Sequence, residues 1–230
     1  MPLPPPDAPT SAPDSVPTAQ PTLAPTPPAA APAPGAGATV ETPGWSLAGV
    51  RISGDEYEEG LVVYGDLTND TGSPQTLLSV TATFFDAQGQ VIANQDNVYD
   101  YWPVADATPP GGRIPFGLVV DGIREAANFT LSVQAEPAAA SPRQDLQLSN
   151  LSQLSEEDLY CLQGTLQGPA EALQSYVVII AVLYDAQNNV INFGDYYEPY
   201  LESGQSLDFE ICIGPPNQGV ARYELRAWGL

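Results

Sequence analysis

With no histidine and no lysine, the reactive side chains of this 230-residue chain reduce to 28 carboxylates, six arginines and two cysteines. Without histidine there is no Ser–His–Asp or Cys–His arrangement and no His-containing zinc site. Without lysine there is no Schiff base and no P-loop. Carboxylate-pair chemistry is all that remains for an enzyme, so the expectation is a non-enzymatic chain with neither cofactor nor metal. Asp86 and Asp185 each open a short polar turn. A calcium loop would need further carboxylates at alternate positions and a closing Glu, and neither turn has them. An Asx-turn fits instead, with Gly89 and Asn188–Asn189 supplying the positive φ.

The residues best suited to binding are aromatic. Tyr99, Tyr101 and Trp102 follow the first of these turns, beside Asp96 and Asp100. Tyr196, Tyr197 and Tyr200 follow the second, beside Asp195 and Glu198. On loops, such rings could stack on sugars while the carboxylates bind hydroxyls. The competing reading has some of these rings closing the open ends of the folded units.

The elements that position these residues come from a repeat. Ser79-Val-Thr-Ala-Thr-Phe-Phe-Asp-Ala-Gln-Gly-Gln-Val-Ile92 returns 99 residues later as Val178-Ile-Ile-Ala-Val-Leu-Tyr-Asp-Ala-Gln-Asn-Asn-Val-Ile191. Each copy reads apolar run, polar turn, apolar run, which is a β-hairpin. The correspondence extends to Ile114–Leu118 with Leu207–Ile211, and to Phe129-Thr-Leu-Ser-Val133 with Tyr223-Glu-Leu-Arg-Ala227. No stretch holds a 3.6-residue period. The spacing predicts strands near residues 46–52, 61–68, 77–85, 90–93, 113–120 and 128–135, then near 146–151, 159–166, 176–184, 190–193, 206–213 and 221–228. The fold class is all-β: two tandem immunoglobulin-like antiparallel sandwiches, at 45–137 and 146–230, joined by a link at 138–145.

The run Leu183-Tyr184-Asp185 with its turn and Val190-Ile191, and its counterpart Phe84-Phe85-Asp86-Ala-Gln-Gly89, resemble the FxLYD domain of bacterial and archaeal proteins. The resemblance covers residues 45–230 and departs at the motif's leading Phe, replaced by Ala82 and Ala181. It implies an immunoglobulin-like sandwich in a secreted or lipid-anchored protein, without catalytic residues.

Residues 1–44 hold 14 of the 25 prolines and no aromatic residue. Such a segment has nothing to bury against its chain entropy and reads as an extended linker, a stalk of up to roughly 130 Å at ~3.1 Å per residue. No basic leader with an apolar core is present, and the expectation is that a secretory or lipoprotein leader preceded Met1. No run of 18 apolar residues occurs, so direct membrane insertion is not expected. The net charge of −22 argues against nucleic acid and anionic membranes as partners. Acid clusters at Asp55–Glu59 and Glu156–Asp158 are expected to solvate hairpin tips. Three sequons begin at Asn69, Asn128 and Asn150.

Strand parity gives two further expectations. With Val80, Ala82 and Phe84 facing inward, the outer face of that strand is Ser79, Thr81, Thr83 and Phe85. Its counterpart carries Val178, Ile180, Val182 and Tyr184 outward, with Trp228 nearby. An apolar outer face marks a contact surface, so these residues are expected to meet the first domain or a neighbouring subunit. The second expectation is a disulfide. Cys161 and Cys212 replace Val62 and Val119 by alignment, on the second and fifth strands of a sandwich, which are neighbours in one sheet. A bridge closing about 52 residues would stabilise the second domain by roughly 4 kcal/mol. Taken together, these observations predict a surface-displayed binding or assembly module, with a protein partner or self-association through the second domain, and a glycan as the alternative ligand.

Overall fold

The computed structural model describes residues 38–54, 60–155, 159–214 and 219–230. It is all-β. In the first sandwich the strands are β1 (Ala38–Val40), β2 (Trp45–Gly54), β3 (Gly60–Asn69), β4 (Gln75–Phe85), β5 (Val91–Ala93), β6 (Val98–Tyr101), β7 (Arg113–Asp121) and β8 (Asn128–Pro137). One sheet has the order β2-β3-β7-β6 and the other β1-β8-β4-β5. The second sandwich comprises β9 (Gln147–Ser155), β10 (Tyr160–Gln167), β11 (Val177–Tyr184), β12 (Val190–Glu198), β13 (Ser206–Ile213) and β14 (Arg222–Gly229). Its sheets are β13-β10-β9 and β12-β11-β14. This is the immunoglobulin-like partition, with the first, second and fifth strands of the core set opposite the third and last.

Alternation builds each core. On β4, Val80, Ala82 and Phe84 point inward alongside their register partners Val133, Leu131 and Phe129 of β8, with Phe84 stacked on Phe129 at 5.3 Å. In the second sandwich, Leu162, Leu166, Phe209 and Ile211 face Val177, Ile179, Ala181 and Leu183. The hairpin turns match in detail. Asp86 Oδ1 accepts from the N–H groups of Gln88 (2.9 Å) and Gln90 (2.8 Å), and Asp185 Oδ1 from Gln187 (2.9 Å) and Asn189 (2.8 Å). Gly89 and Asn188 take the left-handed conformation at φ 76° and 63°, the region glycine and asparagine tolerate best.

Three expectations need correction. Ala38–Val40, at the end of the expected linker, forms β1 and pairs in parallel with β8; the Ala38 side chain is buried in the first core. Three residues after a Pro-rich run are too few to show periodicity. β6 was also illegible, because its four residues alternate half-buried Val98 and Asp100 with exposed Tyr99 and Tyr101. Asp100 crosses to the other sheet, where its carboxylate accepts the Val80 N–H at 2.6 Å beside the bulge between Leu77 and Ser79. Finally, Asn69 is no glycan acceptor in the folded chain. It is buried, and its amide donates to the carbonyls of Ser73 (2.8 Å) and Thr108 (2.9 Å) while its oxygen accepts from Thr71. Asn128 and Asn150 are exposed. The acid clusters at 55–59 and 156–158 lie outside the described residues.

Cys161 and Cys212 are directly opposite on β10 and β13, 4.0 Å apart at Cα, and form the disulfide. Their counterparts Val62 and Val119 occupy the same register on β3 and β7. The bridge therefore joins adjacent strands of one sheet. Denatured without reductant, the protein should show no reactive thiol, and reduction should expose two. Loss of the bridge should lower stability by about 4 kcal/mol in the chain-entropy model, read as a shift in the urea midpoint.

Candidate functional site

β11 is buried along its whole length, because both of its faces are covered. One face is the second core. The other lies in the centre of its sheet, between β12 and β14, and register places its residues in rows: Tyr197–Val178–Trp228, Asp195–Ile180–Arg226 and Phe193–Val182–Glu224. Tyr176, Val178, Ile180, Val182, Tyr184, Val190 and Trp228 form a separate buried cluster here, and Tyr64 and Ala105 of the first sandwich pack against it. The apolar outer face is thus covered by the first repeat of the same chain. Burying such side chains is worth roughly 1.5–3 kcal/mol each.

A charged clasp sits in the middle of this contact. Asp66 on β3 is 1% exposed and Arg226 on β14 is 9% exposed. The guanidinium donates two parallel hydrogen bonds of 2.7 Å to the two carboxylate oxygens, the bidentate geometry that gives such pairs their strength. Tyr184 donates its hydroxyl to Asp66 at 2.7 Å and accepts from Arg226. Arg226 also donates to the Arg113 carbonyl at 3.1 Å and to Glu224 at 3.0 Å, and Arg113 bonds Glu224 in turn. Arg222 lies over the Tyr184 ring, 3.6 Å from its centroid. Burial works against ionisation of Glu224, but Arg226 and Arg113 overcome it and hold its carboxyl down to about 2. Burial, reinforced by Asp66, pushes the Tyr184 hydroxyl far above its ordinary range.

At the rim, Arg51 of β2 lies 3.7 Å from Asp185. Gly49, at φ 58°, lies so close to the second hairpin that a Cβ there would come within 2.9 Å of the Asn188 carbonyl oxygen. The loop after β6 closes the opposite side, where Tyr176 donates its hydroxyl to the Ala107 carbonyl at 3.2 Å. Burial pushes the Tyr176 phenol up to about 12 and raises the Asp195 carboxyl, which lies near the Val104 backbone.

The aromatic residues singled out from sequence lie mostly on strands, not loops. Tyr99 and Tyr101 belong to β6, and Tyr196 and Tyr197 to β12. The structure brings Tyr101 and Tyr197 to the same seam. Tyr101 stacks on Phe193 at 5.4 Å and lies over Gly117, and Tyr197 stacks on Tyr176 at 6.3 Å. Trp102 and Tyr196 pack on the first and second cores respectively. The most exposed rings are Tyr99, at 62%, and Tyr200, at 45%. Among the described residues, one cluster could offer metal ligands, Cys161, Glu210 and Cys212, and both of its sulfurs are consumed by the disulfide.

Sequence reasoning missed Tyr64, Asp66, Arg113, Phe193, Glu224 and Arg226. A signal existed for two of them. Where the first repeat has Thr130 and Ser132, the second has Glu224 and Arg226, charges on the same face as the apolar row of β11.

No family model matches the chain, and no curated protein matches it. Among solved structures it is similar to red sea bream transglutaminase at 10% identity and a TM-score of 0.22, over 77% of this chain and 28% of that one. A likeness that slight carries no argument about activity.

Removing one partner of a buried pair strands the other charge, which costs about 3–5 kcal/mol. Asp66→Ala or Arg226→Met should lower stability by that much, while the double change Asp66→Leu with Arg226→Met should cost less than either alone; urea denaturation of the three variants reads the difference. Because the clasp couples the sandwiches, reduction of the disulfide should affect both, not the second alone. Ile180→Asp should separate the domains while each sandwich stays folded, seen as a larger radius of gyration in solution scattering. Glu224 has a folded pKa below its ordinary 4.5, so its contribution is complete above about pH 4.5 and is lost as pH falls toward 2. Glu224→Gln should therefore be less stable than the native chain at pH 7, with the gap closing between pH 4.5 and 2.

Proposed function

We propose that this chain is a non-enzymatic binding or assembly module, secreted or displayed at a cell surface, in which two FxLYD-like sandwiches act as one rigid head on a Pro-rich stalk. The observation that carries this reading is the clasped interface. Asp66, Arg226, Tyr184 and Glu224 fix one domain orientation, and both sandwiches fall within one compact unit. A fixed pair of small domains presents surfaces at set spacing, which suits recognition better than turnover. The disulfide fits an oxidising compartment, and no helix among the described residues is long and apolar enough to cross a membrane. The apolar face of the second sandwich is occupied within the chain, so assembly with other proteins uses other surfaces.

The glycan reading rests on a different observation. Tyr99 and Tyr200 present open rings, and Tyr101 and Tyr197 line the seam with Asp195 between Phe193 and Tyr197 on β12. Neutral rings beside carboxylates suit an uncharged polysaccharide.

Two measurements test these readings. Protease treatment of intact cells should release the head into the medium; a chain that stays protected until lysis overturns surface display. Titration with neutral cell-wall oligosaccharides should leave Trp102 and tyrosine fluorescence unchanged if the partner is a protein. Saturable quenching that Tyr99→Ala and Tyr200→Ala abolish would transfer the assignment to glycan binding.

A further inference from the structure

The two repeats differ at one edge. In the first sandwich β8 has β4 on one side and β1 on the other, with Ala38, Thr39 and Val40 in parallel register with Phe129, Thr130 and Leu131. The pairing continues past the strand. The Glu41 N–H donates to the Leu131 carbonyl at 2.9 Å, and the Thr42 hydroxyl accepts from the Val133 N–H at 2.8 Å and donates to its carbonyl at 3.1 Å. Beneath this cover Phe129, Leu131 and Val133 are buried.

In the second sandwich the equivalent strand, β14, pairs with β11 alone. Among the described residues, the one backbone pairing along its outer edge is with Arg143, which exchanges hydrogen bonds with Gly229. Tyr223, Leu225 and Ala227 stand where Phe129, Leu131 and Val133 stand in the first repeat. They pack on the second core yet remain only half-buried. The link cannot close this gap, because it must run from the end of β8 to the start of β9 and meets β14 only at its last residue.

Two other strand edges of this sandwich, those of β9 and β13, are less suited to pairing. β9 is broken by a bulge at Asn150, where φ is 52° and register with β10 shifts, a device that discourages edge pairing. β13 carries Asp208 and Glu210 outward. β14 keeps unbroken register with β11 over all eight residues.

We propose that the outer edge of β14 accepts an extended segment of a partner protein as an added parallel strand. The proposal deepens the binding reading above and rests on it. The first repeat supplies the template for the ligand. Two small or β-branched apolar residues at alternate positions, like Ala38 and Val40, cover the open core, a polar residue between them faces solvent, and a Ser or Thr two residues further on clamps the β14 backbone. Main-chain bonds supply affinity and the alternate side chains supply specificity in such strand addition. On a chain of net charge −22, the favoured segment is neutral or basic.

The probe is a blocked synthetic peptide with the sequence of residues 36–43 and Glu41→Gln, which makes it neutral, added to the full chain and followed by hydrogen exchange. The β14 amides should exchange several-fold more slowly with millimolar peptide, and the same peptide carrying Ala38→Asp and Val40→Asp should have no effect. Unchanged β14 exchange, or protection confined to β9, overturns the proposal. Protection of β14 that rises with protein concentration in the absence of peptide also overturns it, since the occupant is then a second copy. These outcomes are separate from the protease and glycan measurements, so failure of the edge site is distinguishable from failure of the binding reading.

Discussion

Arg226 and Asp66 are 160 residues apart in sequence and form a bidentate pair almost out of reach of water. An ion pair in that position contributes little net stability, because desolvation offsets most of its attraction. Its effect is on geometry. Neither charge tolerates burial without the other, so the two sandwiches have one arrangement in which both are satisfied, and small displacements from it are costly. The apolar contacts around the pair supply adhesion that tolerates sliding. The pair, with Tyr184 and Glu224 bonded to it, removes that freedom. The mutual orientation of the two sandwiches depends on this contact.

The two repeats also differ in the faces they turn away from their joint. The first sandwich receives its neighbour on the outer face of β2, β3 and β7, through Tyr64, Asp66 and Arg113. The corresponding face of the second sandwich carries Gln163, Thr165, Asp208 and Glu210, joined in hydrogen-bonded pairs. The face that the second sandwich inserts is Val178, Ile180 and Val182, and its counterpart on the first is Ser79, Thr81 and Thr83. Each end therefore presents polar side chains where the internal joint is apolar and charged.

How much of this was legible depended on whether the signal was local. The hairpin repeat, the Asx-turns and the inward alternation of each strand are short-range patterns, and the positions of Asp86, Asp185 and Phe84 follow from them. The Cys161–Cys212 bridge was also accessible, since alignment of two copies converts strand order into adjacency. β11 announced a cover by being apolar on both faces, yet nothing on β11 says what provides the cover. The answer lay in Asp66 and Arg113, which look like ordinary solvent-facing charges until the opposing Glu224 and Arg226 are seen. Complementarity between distant strands leaves no trace in periodicity. The tyrosines mislead for a related reason: Tyr101 and Tyr197 beside carboxylates suggest a ligand, and each already has a partner ring across or beside the seam.

The parallel pairing of β1 with β8 has a mechanical consequence. A load applied through the residues preceding Ala38 enters the head at β1, while the second sandwich hangs from the opposite end of β8 at Pro137. With the two strands parallel, those points lie at opposite ends of the pair, so tension drags one strand along the other. The backbone bonds between them, and the double bond of Thr42 to Val133, are then strained together instead of parting one after another. A pull between those two points would load the β1–β8 bonds in shear, the direction in which they all resist at once.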